Sequence, residues 1–125
     1  MNKIKILIID DEIDDLINIQ KLFIKAGYDV QICNSGEQGL EYLTTFNADA
    51  VLCDVVMQHM SGIDCLREIR KAKKNLPIFL YTDTSNEKYF KDAQIYNATG
   101  YFFSKNLTEQ EIDVIKILTN IYLTS

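Results

Sequence analysis

Four apolar runs end in residues that can do chemistry: ILIIDDE at 6–12, VLCD at 51–54, FLYT at 79–82 and GYFFSK at 100–105. Their last residues supply Asp10, Asp11 and Glu12, then Asp54, Thr82 and Lys105. Carboxylates gathered in one crevice raise one another's pKa unless a positive charge joins them. A hard divalent cation suits Asp10, Asp11 and Asp54. Magnesium takes one or two carboxylates, keeps waters, and completes its shell with phosphate oxygens. Lys105 would add a second positive charge and Thr82 a hydroxyl donor, a set that suits a phosphoryl group. A carboxylate can also be the nucleophile in phosphoryl transfer. Asp54 stands alone at the end of its run and is the candidate acceptor.

Such chemistry needs elements that bring these ends together. Short β-rich runs occupy 3–9, 28–33, 48–53, 76–82 and 100–103. Most are nearly continuous in apolar residues, as in central strands buried on both faces. Helical spacing fills the gaps. In 12–26, Ile13, Leu16, Ile17, Gln20 and Ile24 share one face, and Gly27 sits where a C-terminal cap is wanted. In 35–46, Ser35 and Gln38 resemble a capping box ahead of Leu40 and Leu43. Ser61 can cap 61–72, with Leu66 and Ile69 inward; 86–96 carries Tyr89, Phe90 and Ala93. In 107–123, Thr108 and Glu111 precede Ile112, Ile115, Leu118 and Tyr122.

Five β-α units predict an α/β fold: a three-layer α/β/α sandwich over a five-stranded parallel sheet of order 2-1-3-4-5, flavodoxin-like. The chain, 1–125, reads as one domain with no internal repeat. In that order strands 1 and 3 are neighbours, so Asp10, Asp11 and Asp54 meet at one edge. Ligands of open parallel sheets bind there, at the carboxyl ends.

Composition narrows the partners. At 47% hydrophobic and 25% charged, with net charge −5, the 125 residues form an ordinary acidic globular chain. No dense basic patch offers phosphate contacts, so direct nucleic-acid binding is not expected. Arg67, Arg70, Lys71, Lys73 and Lys74 read as a solvated helix face. Cys33, Cys53 and Cys65 are odd in number and widely spaced, which fits reduced thiols. No run approaches the ~18 apolar residues of a membrane span, and the acids arrive too early for a signal peptide. A cytoplasmic location is expected, with no membrane partner. His59 reads as an exposed loop residue.

At these residues the sequence resembles the receiver domain of bacterial two-component response regulators. The matching features are IIDDE at 8–12, the lone aspartate of LCDVVMQHMSG at 52–62, Thr82 in FLYT, and Lys105 after GYFFS. The resemblance implies that Asp54 accepts a phosphoryl group from a sensor histidine kinase or phosphotransfer protein. It implies magnesium held by Asp11, Asp54 and the main-chain carbonyl of Val56, with Asp10 acting through a water. Lys105 would pair with Asp54 and then with the phosphoryl group, and Thr82 would supply a switch hydroxyl. An aromatic residue on strand 5, Tyr101 or Phe102, would turn inward and change the helix 4–strand 5–helix 5 surface, a possible homodimer face. Beyond self-phosphorylation and slow hydrolysis, no enzymatic turnover is implied.

Four positions depart from the family pattern. Gln58 and Asn106 replace the usual prolines, Asp83 replaces a small residue after the switch hydroxyl, and Lys105 comes one residue late. One inserted residue reverses which strand side chains point inward unless a bulge absorbs it. Tyr101 is the favoured switch. These departures motivate a rival, a phosphorylation-independent interaction module. A small hydrolase with an Asp54 nucleophile is disfavoured, because Val56 stands where its second acid would.

Overall fold

Alternation along a strand decides which layer each side chain enters. In the computed structural model, which describes residues 3–124, β1 (Lys5–Ile9), β2 (Asp29–Cys33), β3 (Ala50–Asp54), β4 (Ile78–Tyr81) and β5 (Gly100–Phe102) form one parallel sheet. Its order is β2-β1-β3-β4-β5. Helices α1 (Ile13–Lys25), α2 (Gly36–Tyr42), α3 (Gly62–Ala72), α4 (Glu87–Ile95) and α5 (Glu109–Thr124) alternate with the strands. This is the three-layer fold that the sequence pattern predicts.

Ile6, Ile8, Ala50, Leu52, Phe79 and Tyr81 pack against Leu16, Ile19 and Phe23 of α1 and Ile112 and Ile115 of α5. Leu7, Ile9, Val51, Cys53, Ile78 and Leu80 enter the other layer, against Ile63, Leu66 and Ile69 of α3 and Ala93 of α4. The three central strands therefore need apolar residues at both parities, which explains their continuous runs. All three cysteines are buried and unpaired.

Local signals place the helices. Gly27 takes a φ of +94° after α1, a left-handed conformation that costs glycine little. Ser61 and Asp64 form a reciprocal capping box at α3, as do Thr108 and Glu111 ahead of α5. At α2 the box is incomplete: Ser35 accepts from the Gln38 N–H, but the Gln38 carboxamide accepts from Asn34.

Two stripes differ from the sequence expectation. On α1, Ile13 and Ile24 are more than half exposed and Ile17 is exposed too; Leu16, Ile19 and Phe23 are the buried set. The helix carries two apolar stripes, and spacing alone does not say which meets the sheet. Phe23 settles it by packing edge-on against Tyr28, ring centroids 4.9 Å apart. On α5, Thr119 is buried and Tyr122 is exposed, along with Val114, Ile117 and Ile121.

Gly62, the first residue of α3, lies under the end of β3. Its N–H donates to the Val55 carbonyl at 2.8 Å, and an added Cβ would overlap the Asp54 carbonyl oxygen. Because that neighbour is backbone, Gly62→Ala must displace the strand end or the helix. We expect a loss of about 1–3 kcal/mol in urea unfolding. A loss within about 0.5 kcal/mol, typical of neutral surface changes, would show that the close approach is not needed.

Candidate functional site

Register brings the acids together. Ile9 pairs with Cys53, so Asp10 and Asp54 stand side by side at adjacent strand ends. By parity both follow residues 6, 8, 50 and 52 toward the α1/α5 layer. Single carboxylate oxygens of Asp10, Asp11 and Asp54 lie within 4.8 Å of one another. Asp10 and Asp54 are buried, and Asp11 is half-buried at the mouth. The position is the switch point of the sheet, where β1 leads outward to β2 and β3 to β4.

Each acid is oriented by neighbours. Asp10 Oδ1 accepts the Glu12 N–H at 2.9 Å, and Oδ2 accepts the Tyr81 hydroxyl at 2.6 Å. Asp54 Oδ1 accepts the Val56 N–H at 3.2 Å. Asp11 Oδ2 accepts the Gln58 N–H at 2.9 Å. A proline at position 58 could not make that last bond, so the first departure from the family pattern gives Asp11 a main-chain donor.

Lys105 reaches the site despite its late position. Its Nζ lies 2.8 Å from Asp10 Oδ2, 2.9 Å from Asp15 Oδ2 and 3.0 Å from Asp54 Oδ2. An ammonium has three N–H donors, and all three are engaged. The β4–β5 ladder runs in register to Tyr81 and Phe102, and the Thr82 N–H donates to the Phe102 carbonyl at 3.1 Å. Phe103 and Ser104 follow outside the ladder. The extra residue thus falls in the β5–α5 loop and leaves strand parity intact.

Burial, then the Asp10 carboxylate, push the Asp54 carboxyl up to about 6, against the pull of the Lys105 ammonium and the Val56 N–H. Burial pulls the Lys105 ammonium down, but its hydrogen bonds to Asp10, Asp15 and Asp54 outweigh that and hold it above the ordinary lysine range. Burial and the neighbouring Asp10 charge push the Tyr81 phenol up, so it stays a donor.

The remaining candidates stand apart from this network. Thr82 is buried, and its Oγ1 accepts the Thr84 N–H at 3.1 Å rather than joining a carboxylate. Tyr101 and Phe102 face opposite layers. Phe102 stacks on Phe79, whereas Tyr101 packs among Phe90 and Phe103 with its hydroxyl buried and unpartnered among the described residues. His59 is an exposed loop residue.

Two contributors escape the sequence motif. Asp15 reads as a first-turn acid suited to the helix dipole, but its carboxylate holds Lys105. Tyr81 reads as strand core. Its parity with Asp54, to which it is registered, aims its hydroxyl at Asp10. Removing that hydroxyl in Tyr81→Phe leaves a fully buried carboxylate one donor short. The expected cost is about 1–3 kcal/mol by denaturant unfolding; an unchanged midpoint would show that the bond adds nothing net.

The fold and site together define an open doubly wound α/β domain with an acidic crevice and a lysine at its switch point. The chain belongs to the response regulator receiver domain family, whose model matches residues 6–116. It is 36% identical over 100 residues to the transcriptional regulatory protein ZraR of Escherichia coli, covering 80% of this chain and 23% of that one. It is 28% identical over 113 residues to the alkaline phosphatase synthesis regulator PhoP of Bacillus subtilis, covering 90% and 46%. The chain thus spans less than half the length of either relative. Among solved structures, a receiver domain protein from Clostridium thermocellum superposes with a TM-score of 0.88 at 31% identity, covering 96% of this chain and 97% of that one. TrrA of Thermotoga maritima, solved with Mg2+-BeF, gives 0.84 at 27% identity, covering 94% and 99%. Among the described residues no helix is long and apolar enough to cross a membrane.

Proposed function

We propose that this receiver domain is a phosphorylation switch whose acceptor is Asp54 and whose donor is the phosphohistidine of a sensor kinase or phosphotransfer protein. The observation that carries this reading is the Lys105 ammonium bridging Asp10 and Asp54 beside Asp11, at the carboxyl edge of the sheet. An Asp54 oxygen attacks phosphorus, the new O–P bond forms as the donor's P–N bond breaks, and the imidazole leaves with the electron pair. Lys105 is placed to turn from the Asp54 carboxylate to a phosphoryl oxygen. Among the described residues the Thr82 hydroxyl is bonded as an acceptor, from the Thr84 N–H, which leaves its proton to donate. Tyr101, on the α4 side, is then the aromatic residue able to follow Thr82 and alter the α4–β5–α5 surface.

The three carboxylates fit magnesium: all donors are hard oxygens, close enough for one ion. Asp11 and Asp54, with the Val56 carbonyl, would hold it directly. Asp10 would act through a water, as the family resemblance implies. When bound, the ion supplies positive charge against the phosphoryl oxygens.

The test is incubation with magnesium and acetyl phosphate followed by intact mass. A phosphate-sized gain supports the switch. No gain, with no binding of beryllofluoride, favours a phosphorylation-independent interaction module. Turnover of a free phosphate ester would favour a hydrolase. A second copy is the proposed partner for the exposed apolar residues Ile95, Phe103, Ile117 and Ile121. Sedimentation that stays monomeric with and without beryllofluoride would remove that part.

A further inference from the structure

We propose that Asp83 is a positioning residue for Lys105, acting as a side-chain rung that continues the β4–β5 ladder after its main-chain pairing has stopped. The proposal rests on the reading that the site takes a phosphoryl group. Main-chain pairing between the two strands ends where the Thr82 N–H meets the Phe102 carbonyl at 3.1 Å. Beyond it the two chains part. On the β4 side, the Thr84 N–H turns back to Thr82 Oγ1 at 3.1 Å. On the β5 side, Phe103 swings outward and is 58% exposed. Past that point the segment is held by side chains: Phe103 packs on Tyr101 and Phe90, and Ser104 Oγ accepts the Asn106 N–H, which leaves the Lys105 N–H to find a partner.

Asp83 closes that gap. Its Oδ1 accepts the Lys105 main-chain N–H at 2.9 Å, across 22 residues of sequence. Lys105 is therefore held at both ends. Asp83 fixes its backbone, and the three carboxylates fix its ammonium. A lysine side chain is long and rotamer-rich, so an ammonium fixed in a reactive geometry needs a fixed backbone behind it. The acid at position 83, which by charge alone would repel a phosphoryl group, is accounted for by this bond. What the position needs is an acceptor, not a negative charge.

Anchoring and repulsion make opposite forecasts, and asparagine separates them, because it keeps a carbonyl acceptor without the charge. Asp83 is exposed, so its variants should fold. Two measurements are needed on the intact chain. The first is hydrogen exchange of the Lys105 amide without any phosphoryl analogue. The second is titration with beryllofluoride in the presence of magnesium. We expect the amide to be protected in the wild type and in Asp83→Asn, and to exchange about tenfold faster in Asp83→Ala. We expect the beryllofluoride Kd to rise roughly tenfold in Asp83→Ala and to stay within about threefold in Asp83→Asn. Equal exchange in the wild type and Asp83→Ala would overturn the anchor. So would tighter beryllofluoride binding in both variants, which is the signature of relieved repulsion. A wild type that shows the protected amide but binds no beryllofluoride would sink the phosphoryl reading, and with it the role assigned to Asp83, by a different signature from the loss of the anchor.

Discussion

Asp54→Asn will show no mass gain with acetyl phosphate and magnesium, yet its metal-free form will melt higher than the wild type. The first effect follows from the proposed role of Asp54 as the nucleophile. The second follows from electrostatics. Asp54 is buried beside Asp10, and its carboxyl is pushed from the ordinary 3.8 up to about 6. An acid whose pKa rises on folding favours the native state while it is protonated. That contribution is complete below the ordinary value and is lost as pH climbs through about 6. Above that, ionised Asp54 strains the metal-free fold, and asparagine relieves the strain. Allowing for a weaker bond to Lys105, the gain at about pH 7.5 should be about 1–3 kcal/mol, or roughly 5–10 °C. Magnesium should reverse the order. The wild type gains about 2.7 kcal/mol at a hundredfold excess over Kd, and the variant, short of one carboxylate, gains much less. The wild-type gain should also grow as pH rises from about 5 to 7, because the ion needs Asp54 ionised. Differential scanning fluorimetry with and without magnesium checks all of this. Equal melting of the two metal-free proteins would mean that Lys105 fully compensates Asp54.

Much of this arrangement is legible in the sequence. Continuous apolar runs alternating with capped helical segments imply the parallel sheet, and the sheet order puts Asp10 beside Asp54. The lone acid of VLCD and the pair of IIDDE needed only adjacency, which parity and strand order supply. What stayed hidden depends on side-chain direction. Ile13, Ile17 and Ile24 form a helical stripe as regular as Leu16, Ile19 and Phe23, and only the ring packing of Phe23 on Tyr28 selects the second. The extra residue before Lys105 left the strand-5 parity open, because a sequence does not say whether an insertion sits in the ladder or after it. The ladder runs through Phe102, so the loop absorbs it. Asp15 and Tyr81 look ordinary one by one, a first-turn acid and a core aromatic, and Asp83 stands out in the sequence as a departure with no visible partner. Each gains its role from a partner at least 22 residues away, beyond the reach of any local pattern.

Lys105→Met will be the most destabilising single change at the site in the metal-free protein, and magnesium will recover part of the loss. Methionine keeps most of the stem and removes the charge. Asp10 and Asp54, both buried, then face each other with no cation, and Asp15 loses its partner. Breaking a buried pair from one side leaves uncompensated charge, which typically costs about 3–5 kcal/mol. Phosphorylation by acetyl phosphate should slow by about a hundredfold if Lys105 has the proposed role of a fixed positive group for the transferring oxygens. A double-mutant cycle assigns the cause. If the cost is carboxylate repulsion, Lys105→Met should be cheaper in the Asp54→Asn background, with a coupling of at least about 1 kcal/mol. It should not vanish there, because Asp10 stays a buried carboxylate, left among the described residues with the Tyr81 hydroxyl and the Glu12 N–H on its oxygens. Additive losses in urea unfolding would point instead to contacts of Lys105 that do not involve Asp54, such as its ammonium over the Tyr81 ring, 5.4 Å from the centroid.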